Sequence, residues 1–219
     1  MDLNNFDWGC TSDSWKEFVI KEVFVEKTYE KFFTVDEGDV VVDLGASVGD
    51  FVWSIKDSKF KHCWVVEPLD CFFDSLLNNL MGMPVSFVKA AVSSEKIISM
   101  TFGDTGLFSF PKTLTFKEFL SENHIKHIDF LKIDCEGGEY DIFSKENLPF
   151  LKSVSKIVVE FHLTDEIEKA KFKKVRNEIL GSFPNFNVRS VDGVDIKWDL
   201  WNQHFIDYYE QVLIYIDNR

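Results

Sequence analysis

The stretch Val40-Val41-Val42-Asp43-Leu44-Gly45-Ala46-Ser47-Val48-Gly49-Asp50-Phe51 decides the fold. Its first five residues form an apolar run broken only by Asp43, the pattern of a strand buried on both faces, and such strands belong to parallel sheets. The glycines that follow suit a tight turn, and Phe51-Val52-Trp53-Ser54-Ile55 reads as the start of a helix. Similar runs recur downstream: Cys63-Trp64-Val65-Val66-Glu67 closed by Pro68, then Val85–Val88, Phe130–Asp134 and Lys156–Phe161. Between them lie helical stretches at Phe72–Leu80, with Asp70 as its expected cap, at Phe116–Glu122, near Tyr140–Phe143, and at Glu166–Leu180 with Gly181 as the stop signal. Alternating strands and helices predict a doubly wound, mostly parallel α/β sheet with right-handed crossovers. The last two strands, near Asn187–Val191 and Gln211–Ile216, have no helix between them and are expected to pair antiparallel.

Upstream, Ser14-Trp15-Lys16-Glu17 has the form of a capping box, predicting helix over residues 14–33 in one or two pieces. The chain then reads as a helical lead, 1–34, and one globular domain, 35–219, with no repeat or linker. Residues 91–113, with Gly103, Gly106 and Pro111, read as an irregular stretch holding a short strand or hairpin.

The composition bounds the function. In 219 residues there are 24 Lys+Arg and 37 Asp+Glu, a net charge of −13. Such a field repels nucleic acid and anionic membranes as main partners, although Lys169, Lys171, Lys173 and Lys174 form a local basic group. The N-terminus lacks the form of a signal peptide, and no apolar stretch is long enough to span a membrane. Cys10, Cys63, Cys71 and Cys135 show no paired spacing and read as reduced thiols, so a cytoplasmic location is expected. The 23 Phe residues imply either a Phe-packed core or a compositional bias.

In open α/β sheets, ligands bind beyond the carboxyl ends of the strands, which directs attention to Asp43, Glu67 and Asp134. Glu67 follows Asp43 by 24 residues, where a carboxylate can accept both hydrogens of a ribose diol. The loop Gly45-Ala46-Ser47-Val48-Gly49-Asp50 lacks the G-x-G-x-x-G spacing of a dinucleotide site, and carboxylates at Asp43 and Asp50 repel a pyrophosphate. They suit a ligand with an ammonium and a sulfonium, and S-adenosylmethionine fits.

The runs Val41–Phe51, Val66-Glu67-Pro68, Ala90-Ala91-Val92-Ser93, Ile128–Glu139 and Val158-Val159-Glu160-Phe161-His162 resemble the FkbM family of S-adenosylmethionine-dependent methyltransferases. The resemblance covers about 22–215 and is most specific from Ile133 to Glu139. Two departures are minor: Ser47 stands where the family often has Asn, and Gly138 where it often has Ala. The resemblance implies a Rossmann-like, class I methyltransferase fold, seven strands in the order 3-2-1-4-5-7-6 with the last antiparallel. It also implies methyl transfer to oxygen, often of a sugar or small-molecule hydroxyl. The donor site implied comprises Asp43, Gly45, Ala46, Ser47, Gly49, Asp50, Phe51, Glu67, Ala90, Ala91 and Asp134.

A hydroxyl acceptor must lose its proton, and Asp134, Glu136, Glu160 and His162 are the candidate bases, each pair spaced to project to one side of its strand. Catalytic roles are assigned to Asp134, Glu136 and His162. A hard cation such as Mg²⁺ on these groups is the less favoured alternative, so no metal site is assigned. The plainer reading of Glu136 is a helix cap, and of His162 a hydrogen-bonded structural residue. Trp198, Trp201 and His204 lie in the unmatched stretch 192–208, where indoles would stack on a sugar ring or, more plainly, fill the core. His62, His124 and His127 read as structural or exposed. Two other functions compete. Gly45-Ala46-Ser47-Val48-Gly49 satisfies the G-x-S-x-G of serine hydrolases, with Asp134 and His162 in triad order, but leaves Glu67 and Asp134–Glu139 without a purpose. A non-catalytic cofactor- or partner-binding module on the same fold would keep every donor residue.

Overall fold

In the computed structural model, which describes residues 3–94, 99–101, 107–109 and 112–219, the chain forms two compact units. The first comprises Met1–Ala91 and Glu95–Thr113, the second Val92–Ser94 and Leu114–Arg219.

The first unit runs through α1 (Asp13–Val19), β1 (Val40–Leu44), α2 (Asp50–Ser54), β2 (His62–Val66), α3 (Asp70–Leu80) and β3 (Val85–Val88). Its strands are parallel in the order β3-β2-β1, with Val41 opposite Cys63 and Cys63 opposite Val85. Val41, Val42, Leu44, Cys63 and Val65 are wholly inaccessible, as unalternating apolar strands require. On α3, Phe72, Leu76 and Leu80 recur at helical spacing and are buried. Phe6 of the lead packs with Val48, Leu69 and Phe72 in one apolar cluster, joined by Trp8, Trp15 and Trp53. Asn79 fastens this cluster: its Nδ2 donates to Asp7 O (2.8 Å) and Val48 O (2.7 Å), and its Oδ1 accepts from Asp7 N (2.8 Å). Ser99–Thr101 and Leu107–Ser109 pair as an antiparallel hairpin, matching the expectation for 91–113, while Gly103, Gly106 and Pro111 lie outside the described residues.

Three local expectations for this unit need correction. Ser12, not Ser14, caps α1, its hydroxyl accepting from Trp15 N (3.2 Å), so the helix starts two residues earlier than the capping-box pattern suggested. Asp70 is the first residue inside α3 rather than its cap, and it pairs with Lys89 Nζ at 2.7 Å. Cys10 and Cys71 form a disulfide with Cα atoms 5.9 Å apart, whereas Cys63 and Cys135 are free. Partners 61 residues apart meet only because the lead folds back onto the start of α3, which no spacing rule reveals. The expectation of four reduced thiols is therefore wrong for two of them.

The second unit contains α4 (Phe116–Glu122), β4 (Phe130–Ile133), α5 (Glu139–Ile142), α6 (Leu148–Leu151), β5 (Lys156–His162), α7 (Glu166–Glu178), β6 (Phe186–Ser190), α8 (Phe205–Tyr208) and β7 (Gln211–Asp217). Thr115 and Glu118 form a capping box at α4. Strand order is β4-β5-β7-β6. β4 and β5 are parallel, with Ile133 opposite Val159, while β7 opposes both its neighbours, with Gln211 opposite His162 and Ile214 opposite Val188. All seven residues of β5 are buried. The units thus carry the 3-2-1 and 4-5-7-6 parts of the expected strand order, with β7 antiparallel.

Aromatic rings thread the second core, from Phe143 to Phe161 (5.3 Å between centroids), Phe161 to Phe172 (5.4 Å) and Phe172 to Phe205 (6.0 Å). Many of the Phe residues are thus core material in both units, although Phe18 and Phe32 are exposed. Arg176 Nη1 donates to Leu200 O (2.9 Å) and Asn202 O (3.1 Å), anchoring the 192–208 stretch. Within it Trp198 is 80% and Trp201 52% exposed, so neither indole fills the core. No helix among the described residues is long and apolar enough to cross a membrane.

Candidate functional site

In the first unit the loop after β1 is shaped by left-handed backbone at three alternate residues, Gly45 (φ +76°), Ser47 (φ +48°) and Gly49 (φ +85°). Gly49 is required twice over: its φ favours glycine, and a Cβ there would lie 2.9 Å from Leu76 Cδ1 and 3.1 Å from Leu80 Cγ. Gly45 N and Ala46 N donate to Val66 O at 3.0 and 2.9 Å, which ties the loop to the end of β2. The next tie is a charged one. Glu67, 4% exposed, accepts from Ser47 N through Oε2 (2.9 Å) and from Leu69 N through Oε1 (2.8 Å). A carboxylate has about four lone-pair sites, so accepting these two bonds does not by itself exclude a ribose diol. Ser47 Oγ is buried with no hydrogen-bond partner among the described residues. Asp43, Ala46, Asp50, Phe51, Ala90 and Ala91 are buried, all in this unit.

Asp134, Glu136 and His162 come together in the second unit, one ligand-type atom from each lying within 4.8 Å of the others. His162 ends β5 and is buried; Asp134 and Glu136 lie in the turn that follows β4. The imidazole is fixed at one edge by Glu139, a fully buried carboxylate in the first turn of α5, whose Oε1 is 2.5 Å from Nδ1. The Tyr140 hydroxyl donates to the His162 carbonyl. Nε2 consequently faces outward, 3.5 Å from Glu136 Oε2 and 3.9 Å from Asp134 Oδ1, while Lys132 Nζ lies 3.8 Å from Asp134 Oδ2. Glu136 (φ +50°) and Gly137 (φ +101°) both hold left-handed backbone, an arrangement that costs a non-glycine residue on the order of 1 kcal/mol.

The electrostatics follow from burial and crowding. Desolvation pushes the Glu136 carboxyl up to about 7; His162 pulls it back, while Asp134, Glu139 and Glu168 add repulsion. Burial opposes charge on His162, but Glu139, Asp134 and Glu136 outweigh it and raise the imidazole to about 11. Burial, reinforced by Glu139 and Asp134, lifts the Cys135 thiol well above its ordinary value, so it is no ready nucleophile.

Of the residues singled out from sequence, the structure gathers Asp134, Glu136 and His162, and leaves Glu160, buried on β5, outside their group. Glu136 does not cap α5, since Gly138 occupies that position with no side-chain bond. Glu139 and Tyr140 went unassigned in the sequence reading. The Asp134-x-Glu136-x-x-Glu139 spacing signals a carboxylate cluster, but only the fold brings Glu139 to the histidine. The geometry does not carry the hydrolase reading, because Ser47 Oγ has no base bonded to it among the described residues. His62 Nε2 meets Ser86 Oγ (3.0 Å), His127 Nε2 pairs with Asp129 (2.7 Å), and His204 Nδ1 with Asp207 (3.0 Å), all outside this cluster.

Residues 43–187 match the family model of the methyltransferase FkbM domain, about two thirds of the chain. The chain belongs to the FkbM methyltransferase family. Among solved structures, Aeropyrum pernix fibrillarin, in complex with natively bound S-adenosyl-L-methionine, is similar to it at 14% identity and a TM-score of 0.51, over 87% of this chain and 71% of that one. A protein solved with the Haloferax volcanii Trm112 methyltransferase activator is similar at 12% identity and a TM-score of 0.50, over 94% of this chain and 95% of the other. At such identities the likeness concerns the fold, which is the Rossmann-like class I methyltransferase fold. No curated protein matches the sequence.

The FkbM chain is an S-adenosylmethionine-dependent methyltransferase. The first unit's loop fits that donor chemically: it offers a buried serine hydroxyl with no hydrogen-bond partner among the described residues and buried carboxylates suited to an ammonium, a sulfonium and a ribose diol, and its sequence from Gly45 to Asp50 contains no Lys or Arg for a pyrophosphate.

Proposed function

We propose that the chain methylates a hydroxyl oxygen, of a glycan or of a small molecule, to give an ether and S-adenosylhomocysteine. The observation that supports this reading most is the cluster around His162: a buried, charged imidazole locked by Glu139 is equipped to orient a hydroxyl oxygen, and the carboxylates that border it offer a place for the hydroxyl's proton. Glu136 is the most exposed of the three, its side chain 46% accessible, and is assigned as the group that receives the proton. Asp134 and His162 orient the hydroxyl oxygen.

We assign Asp43, Gly45, Ala46, Ser47, Gly49, Asp50, Phe51, Glu67, Ala90 and Ala91 to donor binding. The Ser47 hydroxyl and the backbone of the Gly45–Gly49 loop hold the methionine part, Glu67 the ribose, and Ala90 and Ala91 flank the adenine. The bound donor supplies an electrophilic methyl on a positively charged sulfur. The chain's own residues then have to align the acceptor oxygen and accept one proton per turnover. Incubating the purified chain with methyl-labelled donor and a panel of oligosaccharides, sugar nucleotides and small alcohols tests the reading. Alkali-stable label on an acceptor oxygen is expected, and label found only on nitrogen or carbon would refute the hydroxyl assignment.

A further inference from the structure

We propose that Asp134, Glu136 and His162 together hold one divalent cation of the kind that accepts mixed carboxylate and imidazole ligands, for which Mn²⁺ is the natural probe. His162 is 3% exposed, and its Nδ1 is taken by Glu139, so Nε2 is the ring nitrogen left to act, and an ion bound there takes the place of the proton on that nitrogen, which is released to solvent. That nitrogen makes no hydrogen bond among the described residues, although two carboxylates face it. The separations of 3.5 Å to Glu136 Oε2 and 3.9 Å to Asp134 Oδ1 exceed the roughly 2.7–2.9 Å of a charge-assisted hydrogen bond. They are close to the spacing of neighbouring ligands around a single ion: two bonds of about 2.0–2.2 Å at right angles or slightly wider put their donor atoms about 3.0–3.5 Å apart. The Glu136 separation already lies in that range, and an inward turn of the Asp134 carboxylate, 23% exposed just after β4, by about half an ångström brings the second one into it.

The surroundings have the form of a metal site's outer layer. A histidine that ligates a metal almost always gives its other ring nitrogen to a carboxylate or carbonyl, which sets the tautomer and the ring's orientation. Glu139 does this from a fully buried position, and Tyr140 fixes the His162 backbone by bonding its carbonyl. Lys132 sits against Oδ2 of Asp134, so Oδ1 is the oxygen that faces Nε2. Three side-chain ligands leave coordination positions for water or for an acceptor hydroxyl. Only the use of the ion rests on the hydroxyl reading: bound to the cation, the hydroxyl would lose its proton to Glu136's second oxygen more readily, and the resulting oxyanion would be the nucleophile.

Titrating EDTA-stripped 219-residue protein with Mn²⁺, and reading the free ion by electron paramagnetic resonance, tests the site directly. One ion per chain is expected. Affinity should fall at least tenfold in Glu136→Gln and in His162→Gln, and by 10–100-fold in Glu139→Gln, which touches no ion and acts only through the histidine. Glu136→Gln alters an exposed side chain, so it keeps the test meaningful if a buried variant fails to fold. Absence of saturable Mn²⁺ binding, or binding unchanged in Glu136→Gln, would overturn the cation. Methyl transfer before and after EDTA separates this claim from the preceding one. Transfer that survives stripping overturns the ion's part in the reaction and leaves the hydroxyl reading standing; bound Mn²⁺ without transfer to any hydroxyl upholds the site and refutes that reading.

Discussion

Glu67→Gln removes one charge and almost no volume, and the structure sets what it should cost. Both carboxylate oxygens accept backbone N–H groups, Ser47 at 2.9 Å and Leu69 at 2.8 Å, on a side chain that is 4% exposed. An amide has a single oxygen, so in either orientation one of the two N–H groups meets an NH₂ donor. Leaving a buried donor unmet costs about 1–3 kcal/mol, and replacing a charged acceptor by a neutral one at the other bond costs about 1 kcal/mol more. The sum, about 2–4 kcal/mol, corresponds to a fall in melting temperature of roughly 5–15 °C for a chain of this length. Differential scanning calorimetry reads the first effect. Titration of S-adenosylhomocysteine reads the second: a loosened Ser47 turn and a lost charged acceptor for the ribose should weaken binding by about 10- to 100-fold, taking about 1.5–3 kcal/mol for the charged bond. A melting temperature within one degree of wild type would refute the structural role of Glu67. Unchanged affinity would refute its role toward the donor.

Other changes probe separate parts of the account. Gly49→Ala places a Cβ against Leu76 and Leu80 in left-handed backbone, and should destabilise by about 2–4 kcal/mol in urea unfolding, combining conformational strain with overpacking; a loss under half of that would mean the loop relaxes freely. Cys10→Ser opens a bridge spanning 61 residues, for which chain entropy alone gives about 4 kcal/mol, so it should lower the melting temperature, as should dithiothreitol on the wild type. A melting temperature insensitive to reductant would deny the bridge. Asp141 is pulled up by burial but further down by hydrogen bonds from Ser93 Oγ (2.7 Å) and Ser94 N (2.8 Å), so its carboxyl lies below the ordinary 3.8. A depressed carboxylate contributes stability that is present above its unfolded value and lost as pH falls through the folded one. Asp141→Asn should therefore lower the urea midpoint at pH 5–7, with the gap to wild type narrowing as pH falls below 3.8; parallel curves throughout would contradict it.

Much of the fold was legible because its strands are extreme cases. Val40–Leu44 and Lys156–Phe161 are too short and too continuously apolar to be surface elements, and turns between them are marked by glycine or proline. The turn after β1 was legible for the same reason, since Gly45 and Gly49 occupy backbone that glycine favours. What escaped was decided by contacts remote in sequence. Nothing local pairs Cys10 with Cys71, nor turns Glu139 toward His162 across 23 residues. Nothing in the periodicity sends Trp198 and Trp201 to the surface, because helical and core spacing look alike in so short and irregular a stretch. Ser12 prevailed over Ser14 because chain entry, not side-chain identity, chooses between two equally good caps.

The claim on which the rest depends is that the first unit's loop binds the methyl donor. Calorimetric titration of S-adenosylhomocysteine into the wild-type chain and into Asp43→Ala, with circular dichroism to show that the variant is folded, tests it most directly. The account predicts saturable binding of one ligand per wild-type chain and none in the variant. A folded Asp43→Ala protein that binds as tightly as wild type would contradict it.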